Sequence, residues 1–200
     1  MGLLILPLQR RIVAGIGLCV PYEPPPELAA LSLAEIAALI AERKLPPVDQ
    51  WAPAHVGDSE MRIDADGRWF HQGGEIRRPA MIRAFASLLW RDGAGEHWLV
   101  TPHEKLAIAV DDAAFIAIDV KREGAGLAFR LNTDDLVIAG PDNPIIARGD
   151  PDVPALYLGV RHGTEARLNR STYGQLIEIA LESEGLFVTS QDARFSLVPS

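Results

Sequence analysis

The chain has 200 residues, of which 48% are hydrophobic and 23% charged. This is ordinary globular composition, sufficient for one large domain or two small ones. Its formal net charge of −8 disfavours binding to a nucleic-acid backbone, which requires a positive surface that displaces counterions. Cys19 is the only cysteine, which excludes an internal disulfide and a cysteine-based zinc site. These features favour a cytoplasmic protein, and they still allow a local basic pocket for one small anion.

Residues 1–31 are predicted to be a tail outside the folded domains. Their apolar run is interrupted by Pro7 and two arginines, so neither piece reaches the roughly 20 residues that a membrane-spanning helix needs. The tail is interpreted as the product of a misassigned start codon or as disordered chain. A secretion signal ending at Cys19 is the alternative, although Leu18 is bulky for such a cleavage site.

A first domain is predicted over residues 32–110, beginning with a helix. Ser32 and Glu35 have the spacing of a capping box, in which each side chain satisfies a free N–H group at the helix start. Further along, Asp66 and Gly67 predict the tight turn of a hairpin, because alternating apolar residues lie on both sides of them.

A second helix is predicted from Pro79, which suits the first helical position, to the neighbourhood of Asp92. A second domain is predicted over residues 111–200. It contains a helix capped by Ser171 and ended by Gly185, followed by a hairpin. The remaining strands are predicted at "HWLV", "LAIAV", "FIAIDV", "LAFRL", "LVIAG" and "ALYLGV", with "PDNPIIARGDPDVP" as a loop.

Two similar segments suggest an internal repeat. The residues "IRRP" at 76–79 and "LNRS" at 168–171 lie 92 positions apart, and each follows a strand and precedes a helix. The pattern predicts two related α+β domains, each a strand-strand-helix-strand-strand unit. Chance similarity between two common elements is the alternative.

Arg78 and Arg170 lie at the predicted helix starts. A positive charge is unfavourable there because the N-terminus of a helix is itself partly positive, so each arginine is expected to meet an anion. That anion is either a carboxylate of the protein or a bound phosphate or carboxylate. The second alternative predicts an anion site built from Arg161, Arg167 and Arg170, with His162 nearby.

Charged residues between strand-like segments mark the junction of the two domains. Buried carboxylates are costly unless they are paired, so an acidic residue such as Asp112 is expected to meet an arginine or to line a polar cleft. The predicted ligand-binding residues are Thr101, Glu104, Lys105, Asp112, Arg161, Arg170 and Arg78. No catalytic residue, metal site or cofactor is predicted, because no hydrolase or nucleotide-loop motif occurs and the histidines lack metal-ligand spacing.

Three segments carry a resemblance: "MRIDADGRWFHQGGEIRR", "LVTPHEKLAIAVDDAAF" and "VRHGTEARLNRSTYGQL". Over residues 32–198 the chain resembles a bacterial family known only as domain of unknown function twelve-eighty-five. It departs from the family pattern at His103, where an aliphatic residue is expected, and at Ala114, where proline is expected. The resemblance implies a duplicated α+β fold, a C-terminal domain with a curved antiparallel sheet and a helix similar to a pleckstrin-homology domain, and a nucleotide-like ligand at the domain interface in a signalling role.

The favoured hypothesis is a cytoplasmic, non-enzymatic binding module with a small anionic ligand, such as a nucleotide, between the domains. The first alternative is a hydrolase or transferase that uses Glu104 or Asp112 as a base and Lys105 as an electrophile. The second is a module that binds a protein partner. Neither a nucleic-acid polymer nor a membrane span is expected.

Overall fold

The computed structural model describes residues 27–182 and 185–199. The predictions for Cys19 and for the first 26 residues lie outside this part of the chain. The described helices are α1 (Leu33–Glu42), α2 (Pro79–Ala86) and α3 (Arg170–Leu181), with short 3₁₀ turns at Leu28–Ala30 and Val48–Gln50. None of these helices is long and apolar enough to span a bilayer.

Within the described residues, fourteen strands form two six-stranded sheets and one hairpin. The first sheet contains β1 (His55–Ile63), β2 (Trp69–His71), β3 (Gly74–Ile76), β4 (Leu89–Arg91), β5 (His97–Val100) and β6 (Glu104–Val110). The second sheet contains β7 (Phe115–Glu123), β8 (Gly126–Leu131), β9 (Leu136–Ile138), β10 (Ile145–Asp150), β11 (Val153–Gly159) and β12 (Glu165–Leu168). The hairpin consists of β13 (Phe187–Ser190) and β14 (Ala193–Ser196), as the sequence predicted.

The two sheets have the same topology. The first has the strand order β3-β2-β1-β6-β5-β4, and the second, read from its β9 edge, has the order β9-β8-β7-β12-β11-β10. In each sheet the first and sixth strands pair in parallel at the centre, and the other pairs are antiparallel. The prediction of two related α+β domains is therefore confirmed. The second sheet is mixed rather than purely antiparallel, and its likeness to a pleckstrin-homology domain stays a prediction.

The repeat differs from the one that the sequence pattern suggested. Residues 76–79 follow the third strand of their sheet, whereas residues 168–171 follow the sixth strand of theirs. The helices α2 and α3 therefore occupy different positions in the two domains, and the true unit is three strands, a connection and three more strands. The similarity of the two segments reflects a strand followed by a helix start, which is a common local arrangement.

The capping box at the start of α1 is confirmed. Glu35 N–H donates to Ser32 Oγ at 3.3 Å, and Ser32 N–H donates to Glu35 Oε2 at 2.7 Å. The helix packs against the second sheet, where Ile36 joins Leu31 and Ala128 in a small buried cluster. Helix α1 was predicted to belong to the first domain, over residues 32–110, but it packs on the sheet of the second. The proposed bounds 32–110 and 111–200 stay predictions.

Two helix ends differ from their predictions. Helix α2 ends at Ala86 instead of continuing to Asp92, because Leu89 pairs with Leu99 in the first sheet. The apolar spacing that predicted a longer helix is satisfied instead by burial of Leu89 in the strand. Helix α3 is capped by Asn169, whose side chain accepts from Thr172 N–H at 2.8 Å, and it ends at Leu181.

The predicted loop "PDNPIIARGDPDVP" contains a strand. Residues Ile145–Asp150 form β10 and pair with β11 along their whole length. The prolines and aspartates that suggested a loop flank this strand or lie at its hairpin turn, and its apolar residues face the core at alternate positions. Strand β10 also carries Arg148.

A continuous apolar core extends through both sheets, with Trp69, Phe85, Phe115 and Phe129 fully buried. The two domains also meet through backbone groups. Arg91 N–H donates to the His162 carbonyl at 2.9 Å, so the edge strand β4 contacts the loop between β11 and β12. The core and this edge contact together join the two sheets.

Candidate functional site

A group of polar side chains lies on the face of the second sheet opposite α3, beside the first domain. Tyr157 on β11 and Arg167 on β12 are direct cross-strand partners, so their side chains lie on the same face. Glu165 lies two residues before Arg167 and shares that face, and Arg148 comes from β10. With Asp112 from the connection between the sheets, these five residues are called the Tyr157 cluster.

Hydrogen bonds link the cluster into two pairs of charges. Tyr157 O–H donates to Asp112 Oδ1 at 2.7 Å, and Arg167 Nη1 donates to Asp112 Oδ2 at 2.6 Å. Arg148 binds Glu165 through both terminal nitrogens, with Nη1 to Oε2 at 2.8 Å. Such charge-assisted bonds fix the orientation of each guanidinium group.

Tyr157 lies between the two guanidinium groups. The Arg148 Cζ atom is 4.6 Å from the centroid of the Tyr157 ring, and the Arg167 Cζ atom is 5.7 Å from it, which is the range of cation–π contact. Burial, and then the hydrogen bond to Asp112, raises the pKa of the Tyr157 hydroxyl. The tyrosine therefore remains a protonated donor at neutral pH.

The arginines of the cluster face the solvent more than its carboxylates do. The side chains of Arg148 and Arg167 are 44% and 43% exposed, against 14% for Glu165 and 20% for Asp112. The bonds to the two carboxylates raise the pKa of both guanidinium groups. An anion that approaches this face meets positive charge first.

The first domain adds a third cation to this region. Arg91 Nη1 lies 3.5 Å from Glu165 Oε2, beside the contact between β4 and the loop after β11. Burial, and then the charge of Arg91, lowers the pKa of the nearby His97, which is therefore neutral at pH 7. Three arginines thus contact the two carboxylates of this region, Glu165 and Asp112.

The predicted residues Thr101, Glu104 and Lys105 have local roles. Thr101 Oγ1 accepts from Glu104 N–H at 3.1 Å and closes the turn between β5 and β6. The Lys105 ammonium lies 4.3 Å from the ring centroid of Trp90 and 4.1 Å from that of Trp98. In the described part of the chain, none of the three forms a hydrogen bond or ion pair with Asp112.

The predicted residue Arg161 is held by an internal ion pair. Its Nη1 lies 3.1 Å from Asp135 Oδ2, and its Nη2 donates to the carbonyl of Ala86 in the first domain at 3.1 Å. Arg43 also pairs with Asp135. Burial lowers the pKa of Arg161 to about 10, so it stays charged at neutral pH. The anion that Arg161 meets is therefore a carboxylate of the protein. Its contacts with Asp135 and Ala86 join the two domains.

Arg78 and Arg170 lie at helix starts as predicted. Both are exposed, and within residues 27–182 and 185–199 no ion pair or hydrogen bond is made by either side chain. Within the described residues, neither Arg78 nor Arg170 forms a hydrogen bond or ion pair with the Tyr157 cluster. Of the seven residues predicted to bind a ligand, only Asp112 belongs to that cluster, and Arg167, which was predicted for the anion site, belongs to it as well.

Sequence reasoning missed Arg148, Tyr157 and Glu165 as site residues. Arg148 lies in a segment that was predicted as a loop, although Ile145 and Ala147 alternate with it and face the core. Tyr157 and Arg167 are far apart in the sequence, and only the register of β11 with β12 makes them neighbours. A strand prediction over 145–150 was the signal that could have found Arg148.

The geometry thus defines a two-domain α+β protein with duplicated mixed sheets and a polar cluster where the domains meet. Two family models match consecutive parts of the chain: "Domain of unknown function (DUF1285), N-terminal domain" over residues 46–113 and "Protein of unknown function (DUF1285), C-terminal domain" over residues 114–197. The chain belongs to the DUF1285 family, which confirms the resemblance seen in its sequence.

Two solved structures are similar. The first, at 2.50 Å resolution, is a DUF1285 family protein from Silicibacter pomeroyi DSS-3 with 39% sequence identity and a TM-score of 0.71; the match covers 85% of this chain and 96% of that one. The second, at 1.40 Å resolution, is a DUF1285 family protein from Shewanella baltica OS155 with 24% identity and a TM-score of 0.49; this match covers 59% and 90%. A search of functionally curated proteins found no match.

Proposed function

We propose that this protein is a cytoplasmic binding module that takes a small anionic ligand, such as a nucleotide, at the Tyr157 cluster. The observation that carries the proposal is the pair of solvent-facing guanidinium groups on either side of Tyr157. Planar guanidinium groups bind phosphate and carboxylate through two parallel hydrogen bonds. The net charge of −8 makes such a local positive face selective for a small anion rather than for a polyanion.

The arginines retain donors for a ligand. Arg167 uses Nη1 for Asp112 and Tyr157, and within the described residues its Nε and Nη2 groups have no hydrogen-bond partner. Arg148 uses both terminal nitrogens for Glu165 and keeps Nε. A phosphate group that bridges the two arginines would therefore gain charge-assisted bonds without first breaking the existing pairs.

The enzymatic alternative has no comparable support. It requires Glu104 or Asp112 to meet Lys105 at one reacting atom. Lys105 instead contacts Trp90 and Trp98, and Asp112 is bound by Arg167 and Tyr157.

The proposal predicts ligand-dependent stabilisation that requires both arginines. In differential scanning fluorimetry with inorganic phosphate, pyrophosphate, AMP and ATP at millimolar concentration, at least one anion should raise Tm, because a ligand that binds only the folded state stabilises it. In isothermal titration calorimetry, Arg148→Met and Arg167→Met should each lower affinity roughly 10- to 100-fold, the effect expected for losing a hydrogen bond to a charged group.

Arg77→Met is the matched control. It removes the same charge from a side chain that is 81% exposed and pairs with Glu75, outside the Tyr157 cluster, so affinity should not change. The proposal fails if no anion stabilises the wild type, or if the double variant Arg148→Met/Arg167→Met binds as the wild type does.

A further inference from the structure

Asp112 connects the Tyr157 cluster to the link between the two domains. Strand β6 ends at Val110 and β7 begins at Phe115, so the first and second sheets are joined by only four residues. The second of these is Asp112, whose two carboxylate oxygens accept from Tyr157 O–H and from Arg167 Nη1. Its side chain thus lies on the second sheet while its backbone belongs to the connection.

The preceding residue fixes the same connection to the first sheet. Asp111 N–H donates to the Ile63 carbonyl at 3.0 Å, and Arg62 Nε donates to Asp111 Oδ1 at 2.8 Å. The Asp111 side chain thus contacts the first sheet, whereas the Asp112 side chain contacts the second. The connection is therefore fastened to both domains, by Asp111 to the first and by Asp112 to the second.

The Asp112 carboxylate accepts hydrogen bonds from Arg167 and Tyr157, as the oxygens of an anionic ligand would. A carboxylate and a phosphate present the same kind of acceptor oxygen to a guanidinium group. A ligand that first binds the free Nε and Nη2 groups of Arg167, and then also takes Nη1 or the Tyr157 hydroxyl, competes with Asp112 for those donors. The bonds from Asp112 to Tyr157 and Arg167 also tether the connection to the second sheet, so their loss frees the connection from that sheet.

We infer that Asp112 is a built-in competitor of the ligand, and that ligand binding displaces it and loosens the connection between the two domains. This inference rests on the proposed function, since it concerns the same site. The inference gives the site a regulatory role, because ligand binding at the cluster increases the mobility of residues 111–114. A ligand has this effect because it binds the state with Asp112 displaced more tightly than the state with Asp112 in place.

The test compares Asp112→Asn with Asp111→Asn in the full chain. The two changes remove the same charge from adjacent residues, but only the first weakens the competitor for Arg167, because a neutral amide replaces its carboxylate. In calorimetric titrations with pyrophosphate and with AMP, Asp112→Asn should bind about tenfold more tightly than the wild type. Asp111→Asn should bind with wild-type affinity.

Hydrogen exchange provides a second readout that a change in local charge alone would not alter. In the wild type, pyrophosphate or AMP should speed amide exchange in peptides covering residues 110–116. In Asp112→Asn, exchange there should already be fast without ligand and should change little when it is added.

The inference is overturned if the wild type binds either anion but Asp112→Asn binds it equally or more weakly, or if ligand slows exchange in the connection. Those outcomes leave the proposed function intact. Absence of binding in both the wild type and Asp112→Asn overturns the proposed function and this inference together.

Discussion

Replacing Asp135 with alanine should lower the free energy of unfolding by about 3–5 kcal/mol, as expected when one partner of a buried ion pair is removed. Asp135 is 3% exposed, and its carboxylate pairs with Arg161 and Arg43 and accepts from Thr133 Oγ1 at 2.8 Å. Its loss leaves the guanidinium of Arg161 as a buried charge without its carboxylate. Equilibrium urea unfolding followed by circular dichroism measures the effect.

Asp142→Ala is the control for this prediction. Asp142 is exposed on the loop before β10, and a surface substitution of this kind usually changes stability by no more than about 0.5 kcal/mol. If Asp135→Ala lowers the free energy of unfolding no more than Asp142→Ala does, the buried ion pair of Asp135 with Arg161 does not hold the two domains together.

Replacing Gly163 with alanine should destabilise the protein by about 2–5 kcal/mol, the combined expectation for left-handed backbone strain and overpacking. Gly163 has φ of +75°, and a Cβ atom added there would lie 2.8 Å from the Arg91 carbonyl oxygen. That oxygen belongs to the β4 edge strand whose N–H group donates to His162. The methyl group therefore pushes directly on the backbone contact between the two domains.

Gly73→Ala separates the two contributions. Gly73 has φ of +79° and no atom within 4 Å of an added Cβ, so its replacement introduces the backbone strain without the steric clash. Its cost should be about 1–2 kcal/mol. Equal destabilisation of the two variants in urea unfolding would contradict the close approach of the domains at Gly163.

Short-range sequence signals predicted much of the fold. The capping box of Ser32 and Glu35 and the turn at Asp66 and Gly67 depend on residues within a few positions of each other, and both are present in the structure. Helix α2 was extended too far because Leu88 and Leu89 continue a helical apolar pattern. Only the pairing of β4 with β5 decides that Leu89 belongs to a strand.

Long-range contacts set the remaining features, which the sequence could not specify. Helix α1 is closest in sequence to the first sheet but buries Ile36 against the second. The sequence predicted the duplication, but the two similar segments at 76–79 and 168–171 are not equivalent in the two domains. The order of strands in a sheet cannot be deduced from the spacing of short motifs. In the candidate site, Asp112 was predicted from its charge at the junction, whereas its partners Tyr157 and Arg167 depend on sheet register.

The most direct test of the proposed function is a side-chain NMR titration. The arginine Nε–Hε resonances of the uniformly ¹⁵N-labelled protein report anion contact residue by residue, and they can be assigned with the Arg148→Met, Arg167→Met and Arg77→Met variants. When pyrophosphate or AMP is added, the Arg148 and Arg167 resonances should shift together and saturate, while the Arg77 resonance should not move. Saturable shifts confined to Arg78 and Arg170, or no saturable shift of Arg148 and Arg167, would contradict a ligand site at the Tyr157 cluster.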